Sequence, residues 1–276
     1  MISFVSYFVS RELIMKLRLA AVLVFAVATT VAFAASDSNN FTLLSKGKVI
    51  GKATYSISKI KEGYRVNTRY QYRAMAAELT LDASQIAIDQ GRAGSSGLIE
   101  AQYSAEYRIS PDGDLLGGFI TDATSQMITG FTPSKSRDNI NVTLNQAGTS
   151  GQPSTIPMPQ PSFTLMPNFD PAAIQILLTT AIAHPHADSK YLTIIPSANV
   201  RSGPTTAWLS FQPGTSDAAA GTLDGKPVTL KHYVIKYYSG DADIYTDDAG
   251  TLMEADINAT SASYVRAKFV LTPPAK

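Results

Sequence analysis

The sequence predicts a mainly β protein, a large curved antiparallel sheet of half-barrel form with about eleven strands and one helix packed against it. Three observations lead there. Several stretches alternate apolar and polar side chains with a period of two, clusters of Gly, Pro, Asp and Ser separate them, and a single run carries helical spacing instead.

The clearest strand is Tyr64 to Arg73, where Tyr64, Val66, Thr68, Tyr70 and Tyr72 alternate with Arg65, Asn67, Arg69, Gln71 and Arg73. One face is apolar and the other wet, as in a half-buried antiparallel strand. Ala53, Tyr55 and Ile57 alternate before it, and Lys61-Glu62-Gly63 joins the two as a hairpin. The pattern recurs in Ala101, Tyr103, Ala105, Tyr107 and Ile109, followed by the turn Pro111-Asp112-Gly113, and again in Ile140, Val142 and Leu144. Leu79 to Ile88 and Phe119 to Phe131 read as further strands with weaker patterns. Residues 148–161, rich in Pro, Gly and Ser, read as a loop without regular structure.

Asp170-Pro171 then gives a helix start, because Asp caps exposed amides and Pro suits the first helical position. Ile174, Leu177, Leu178, Ala181 and Ile182 follow the three-four spacing of one buried face, up to Pro185. Strands return at Tyr191 to Ile195, Trp208 to Phe211, Val228 to Tyr238, Asp243 to Tyr245, Leu252 to Ile257 and Tyr264 to Leu271.

At the other end of the chain, Lys16 and Arg18 precede the apolar run Leu19 to Phe33 and the small-x-small signature Ala32-Phe33-Ala34. This reads as a cleavable signal peptide over residues 1–34 with Met15 as the true start, since an apolar run of about 15 residues is short of the roughly 20 that span a bilayer. The remainder, 35–276, reads as a single half-barrel-like domain in a periplasmic or secreted setting, with no membrane span after cleavage. Without Arg11, Lys16, Arg18 and Glu12, the chain's 23 basic and 22 acidic residues become 20 and 21, a formal charge of −1. That balance provides no footprint for nucleic acid. Cysteine is absent, which removes disulfides, thiolate catalysis and cysteine metal sites together.

Catalytic and cofactor motifs are missing too. Gly94-Ser95-Ser96-Gly97 lacks the spacing of a serine elbow, and no phosphate-cradling or dinucleotide glycine loop occurs. His184 and His186 straddle Pro185, a spacing unlike a helix-face metal motif, and His232 lies on a later strand. Asp241, Asp243, Asp247 and Asp248 invite a calcium reading. An EF-hand loop would need glycine where Thr246 stands and glutamate where Leu252 stands, so a solvated hairpin turn is the preferred reading and a looser calcium site the alternative. No catalytic residue, metal ligand or cofactor is therefore assigned. The helix between strands, and the end Pro273-Pro274-Ala275-Lys276 without a terminal aromatic, argue against an outer-membrane barrel.

The tyrosines are more informative. Tyr55, Tyr64, Tyr70, Tyr72, Tyr103 and Tyr107 fall on the apolar faces of neighbouring strands, each a large ring with one polar tip. Ordinary sheet core is one reading; a concave surface receiving an apolar ligand, closed by Ile174, Leu177 and Leu178 of the helix, is the other.

Four passages carry a family resemblance: Gly47 to Ile57 with Gly63-Tyr64-Arg65-Val66, Asp170-Pro171 before the apolar helix, Gly225 to Leu230 leading into Tyr233-Val234-Ile235, and Asp243 to Leu252. Together they resemble the LolA/LolB-like half-barrel envelope proteins, and in particular an uncharacterised periplasmic family of that style of fold. The resemblance implies an incomplete barrel whose apolar concavity, covered by a helix, holds acyl chains or another lipophilic group. Lipoprotein transfer itself is not carried over, because the chain departs from the lipoprotein carrier in length and detail.

The expected function is thus a non-catalytic binding or carrier protein for a lipophilic ligand. The alternatives are an envelope structural or assembly factor that binds a protein partner through a sheet edge or apolar patch, and, more weakly, a hydrolase using one of the histidines with nearby acids.

Overall fold

The computed structural model describes residues 39–75, 98–111, 114–122, 127–136, 139–146, 149–150, 153–157, 163–165, 171–183, 185, 189–195, 205–214, 219–237, 240–258 and 262–272. The proposed signal peptide, the stretch 79–88, Gly94 to Gly97, Asp170, His184 and His186 lie outside them.

Period-two patterning gives strands in an almost unbroken series. In chain order they are β1 (Asn39–Ser45), β2 (Lys48–Ile60), β3 (Gly63–Met75), β4 (Leu98–Ile109), β5 (Leu115–Asp122), β6 (Met127–Ser136), β7 (Asn139–Gln146), β8 (Thr149–Ser150), β9 (Ser154–Pro157) and β10 (Phe163–Leu165). Helix α1 (Pro171–Ala183) follows. After it come β11 (Lys190–Ile195), β12 (Thr205–Pro213), β13 (Ala219–Leu223), β14 (Lys226–Tyr237), β15 (Gly240–Thr246), β16 (Leu252–Ile257), β17 (Ala262–Arg266) and β18 (Phe269–Thr272).

Pairing runs antiparallel from β7 through β6, β5, β4, β3 and β2 to β1. From β1 it passes to β17, β16, β15, β14, β12 and β11, and β10 adds to β11 in parallel. The result is an open, curved sheet that does not close into a barrel. β14 is shared along its length: Tyr233 to Lys236 pair with β12, while Lys226 to Leu230 pair with β13, which carries β18 on its other side.

Three sequence expectations are corrected. The strands number eighteen among the described residues, more than the eleven expected, because several are short edge segments. Residues 148–161 hold two of them: β8 and β9 both pair with β7, and Pro157 is tolerated at the last position of an edge strand. Tyr264 to Leu271 is two strands rather than one. The chain turns at Ala267-Lys268, where Lys268 adopts a left-handed backbone (φ 64) and its Nζ meets Asp224 Oδ1 at 2.8 Å.

The helix also departs from expectation. Its residues from Pro171 to Ala181 are all buried, so α1 presents no wet face, and Ile182, expected inward, is 44% exposed. The composition explains this: Pro171 to Ala183 contains no charged residue, and an uncharged, mostly apolar helix whose few polar side chains can be bonded internally belongs inside. Its two consecutive threonines are accommodated by bonding to the preceding turn, Thr179 Oγ1 donating to the Gln175 carbonyl (2.8 Å) and Thr180 Oγ1 to that of Ile176 (2.9 Å).

Alternation separates the two faces of the sheet. The main core joins α1 to the inward residues of the strands, among them Tyr55, Val66, Tyr70, Tyr107, Ile235, Ile244 and Ala255. A second apolar cluster of Leu230, Met253 and Phe269, with Tyr245 and Val265 packed against it, forms on the outer side under the β13–β18 pair.

Candidate functional site

The inner face is built from cross-strand rows. Ile57, Val66, Tyr107 and Gly118 form one, Tyr55, Thr68, Ala105 and Ile120 the next, and Ala53, Tyr70 and Tyr103 a third. Tyr70 and Tyr103 stack with centroids 4.8 Å apart, Phe41 and Tyr55 at 5.8 Å, and Tyr107 approaches Phe131 at 6.2 Å. Tyr107 and Phe131 approach across Gly118, where a Cβ would meet the Phe131 ring at 2.8 Å.

All nine nominated residues belong to this region. Tyr55, Tyr70, Tyr103 and Tyr107 are buried in the main core with Ile174, Leu177 and Leu178 of the helix, while Tyr64 and Tyr72 pack against it half-buried.

Two inner-face residues that sequence reading passed over organise its polar chemistry. Gln175, 7% exposed on α1, accepts from Tyr55 OH (3.1 Å) and from the Leu252 amide (2.8 Å) through Oε1. Its Nε2 donates to the Gly250 carbonyl (2.9 Å) and reaches Thr179 Oγ1 (3.4 Å). The amide therefore ties α1 to β2 and to the β15–β16 turn, and its one sequence signal is a long polar side chain in an otherwise uncharged apolar helix. Thr68 is the opposite case: it is 5% exposed, and its Oγ1 is buried without a hydrogen-bond partner. At the margin of this face, Arg266 donates to the Leu252 carbonyl (3.3 Å) and lies 6.0 Å over the Phe41 ring.

The outer face of β14–β17 gathers the titratable groups. His232 Nε2 pairs with Asp243 Oδ1 at 2.8 Å, Asn258 donates to Asp243 Oδ2 at 2.8 Å, and the imidazole stacks on Tyr245. Gly214 packs so closely over the ring that a Cβ there would overlap it. Burial first, and then the neighbouring Asp256 carboxylate, pushes Glu254 up to about 7. Burial also raises Asp256 against an opposing hydrogen bond from Ser263, and raises the Tyr245 phenol, to which Asp243, Asp256 and Glu254 add.

The aspartates considered for calcium do not converge. Asp243 is engaged as above, Asp247 Oδ1 accepts the Thr251 amide (2.8 Å) inside the turn, and Asp248 lies 3.9 Å from Lys231 Nζ. No group of three or more His, Asp or Glu side chains among the described residues is placed to hold a metal ion. No described helix is long and apolar enough to cross a membrane.

Fold and inner face together define an open antiparallel-sheet protein wrapped on an uncharged helix. No family model and no curated protein matches the chain. Among solved structures, a DUF1089 family protein from Pseudomonas aeruginosa is similar at 10% sequence identity, with 82% of this chain and 94% of that chain covered and a TM-score of 0.38.

Proposed function

We propose that the chain is an exported binding or carrier protein that holds a neutral lipophilic molecule between α1 and the inner face of the sheet, in the manner implied by the resemblance to LolA/LolB-like half-barrels. The observation that carries this reading is the union of an open sheet with an aromatic, uncharged interior. Side chains less than a tenth exposed include Ser45, Thr68, Gln175, Thr179, Thr180 and Thr246 as their polar members, and no Asp, Glu, Lys, Arg or His among the described residues. Such an interior suits an apolar molecule and rejects an ion, because a charge buried without a partner costs several kcal/mol.

Native mass spectrometry of protein purified from its own cell envelope, together with uptake of the fluorescent probe N-phenyl-1-naphthylamine, tests this. A co-purifying neutral lipid and a saturable fluorescence rise are expected; a ligand-free spectrum with no probe uptake overturns the proposal.

A second reading, an assembly factor that binds a protein partner, draws on Leu116 and Phe119 of β5, which are 37% and 42% exposed. Crosslinking in the native envelope that recovers one stoichiometric protein, without bound lipid, favours it.

A further inference from the structure

Thr68 stands at the centre of the inner face. Tyr55 of β2 lies opposite it on one side and Ala105 of β4 on the other, with Ile120 of β5 next along the row. The rows above and below carry the aromatic pairs Tyr70–Tyr103 and Tyr107–Phe131. Two short side chains, Thr68 and Ala105, therefore sit side by side between two sets of rings.

The polar groups around them are already committed. The Tyr55 hydroxyl donates to Gln175, and the Gln175 amide uses both its oxygen and its nitrogen elsewhere. Thr68 Oγ1 alone of this group has no partner, and it is sealed from solvent. A buried hydroxyl left unpaired costs about 1–3 kcal/mol, and valine would fill the same volume without that cost. A hydroxyl at this position therefore requires something that it can bond.

We propose that Thr68 Oγ1 is the polar anchor for the ligand and donates a hydrogen bond to a neutral carbonyl oxygen on an otherwise apolar molecule, an acyl ester being the fitting chemistry. This rests on the lipophilic-binding reading above. A free carboxylate is disfavoured, because no cation is among the buried side chains described around the anchor. An ester carbonyl accepts one bond and carries no charge, which matches a single hydroxyl donor between aromatic walls.

The test uses the full exported chain after delipidation and compares Thr68→Val and Thr68→Ser with the unaltered protein. Displacement of N-phenyl-1-naphthylamine is followed with methyl palmitate and with hexadecane, which share an apolar chain and differ in the ester. Thr68→Val is expected to weaken methyl palmitate about three- to tenfold, the usual worth of one hydrogen bond, while hexadecane is unaffected. Thr68→Ser is expected to retain the ester preference, and circular dichroism melting verifies that both variants fold. If Thr68→Val leaves both competitors unchanged, or weakens both equally, the anchor is refuted while lipophilic binding stands. If the unaltered protein binds neither competitor nor the probe, the lipophilic reading fails, and the anchor with it.

Discussion

Glu254→Gln tests the electrostatics of the outer face. Glu254 lies on β16 opposite Tyr245 of β15 and Val265 of β17, and both neighbours pack against the outer apolar cluster. Asp256 acts on the Glu254 carboxyl and Tyr245 lies opposite it, while His232 stacks on the far side of Tyr245 and is paired with Asp243. Burial and Asp256 raise its carboxyl from 4.5 to about 7, so the folded chain holds a proton that the unfolded chain releases. Well below pH 4.5 both states are protonated and the group contributes nothing, and at pH 4.5 the penalty is still small. As pH rises from 4.5 through about 7, the unfolded state ionises first and stability falls; above about 7 the penalty is complete. At about 1.4 kcal/mol per pH unit the gap sets a ceiling of about 3.4 kcal/mol. Glu254 is only half-buried, and solvent screening brings that down to about 1–1.5 kcal/mol. Glutamine keeps the shape and removes the charge. Glu254→Gln is therefore expected to match the unaltered protein at pH 4.5 and to melt about 3–4 °C higher at pH 8, read by calorimetry or circular dichroism. An equal shift at both pH values, or no gain at pH 8, refutes the reasoning.

Gln175→Leu strands the Tyr55 hydroxyl, the Leu252 amide and the Gly250 carbonyl, and is expected to lower unfolding free energy by about 3 kcal/mol in urea titration; a loss under about 1 kcal/mol contradicts the tie between α1 and the β15–β16 turn. Gly214→Ala forces a methyl group into the His232 ring and is expected to cost about 1–3 kcal/mol, falling towards zero in a His232→Ala background; the same cost in both backgrounds places the strain elsewhere.

Period two made the inner face legible where a strand has one wet side, as in β2 to β4. Tyr64 to Arg73 displays this directly: Val66, Thr68 and Tyr70 are buried, and Arg65, Asn67 and Arg69 exposed. The same logic failed where a strand is too short to show alternation, as in β8 and β9, or where a turn lacks glycine and proline, as at Ala267-Lys268. That turn is held by groups distant in sequence, the Asp224 amide donating to the Lys268 carbonyl (3.2 Å) and the Ala267 amide to that of Asn40 (2.7 Å). The helix was recognised by its spacing, but its setting was not, because three-four periodicity draws attention to one face and the absence of charge on the others is the stronger fact. Gln175 and Thr68 were invisible for a different reason: whether a buried polar atom is satisfied depends on partners from other strands, such as Tyr55 and Leu252.

Those two residues show why the interior is specific as well as apolar. An uncharged helix against a buried sheet face without charge has little to fix its rotation or its height, since many packings of Ile, Leu and Ala are close in energy. Gln175 removes that freedom, because its three hydrogen bonds to groups outside the helix are made together in only one placement of α1 against Tyr55, Gly250 and Leu252. A helix so fixed holds Ile174, Leu177 and Leu178 at a constant position in the same core as Thr68 and Tyr70, whatever else occupies the interior. Under the proposed carrier function, contacts between a ligand and the inner face are then decided by the ligand's own shape and polar atoms, rather than by a helix that shifts to meet it.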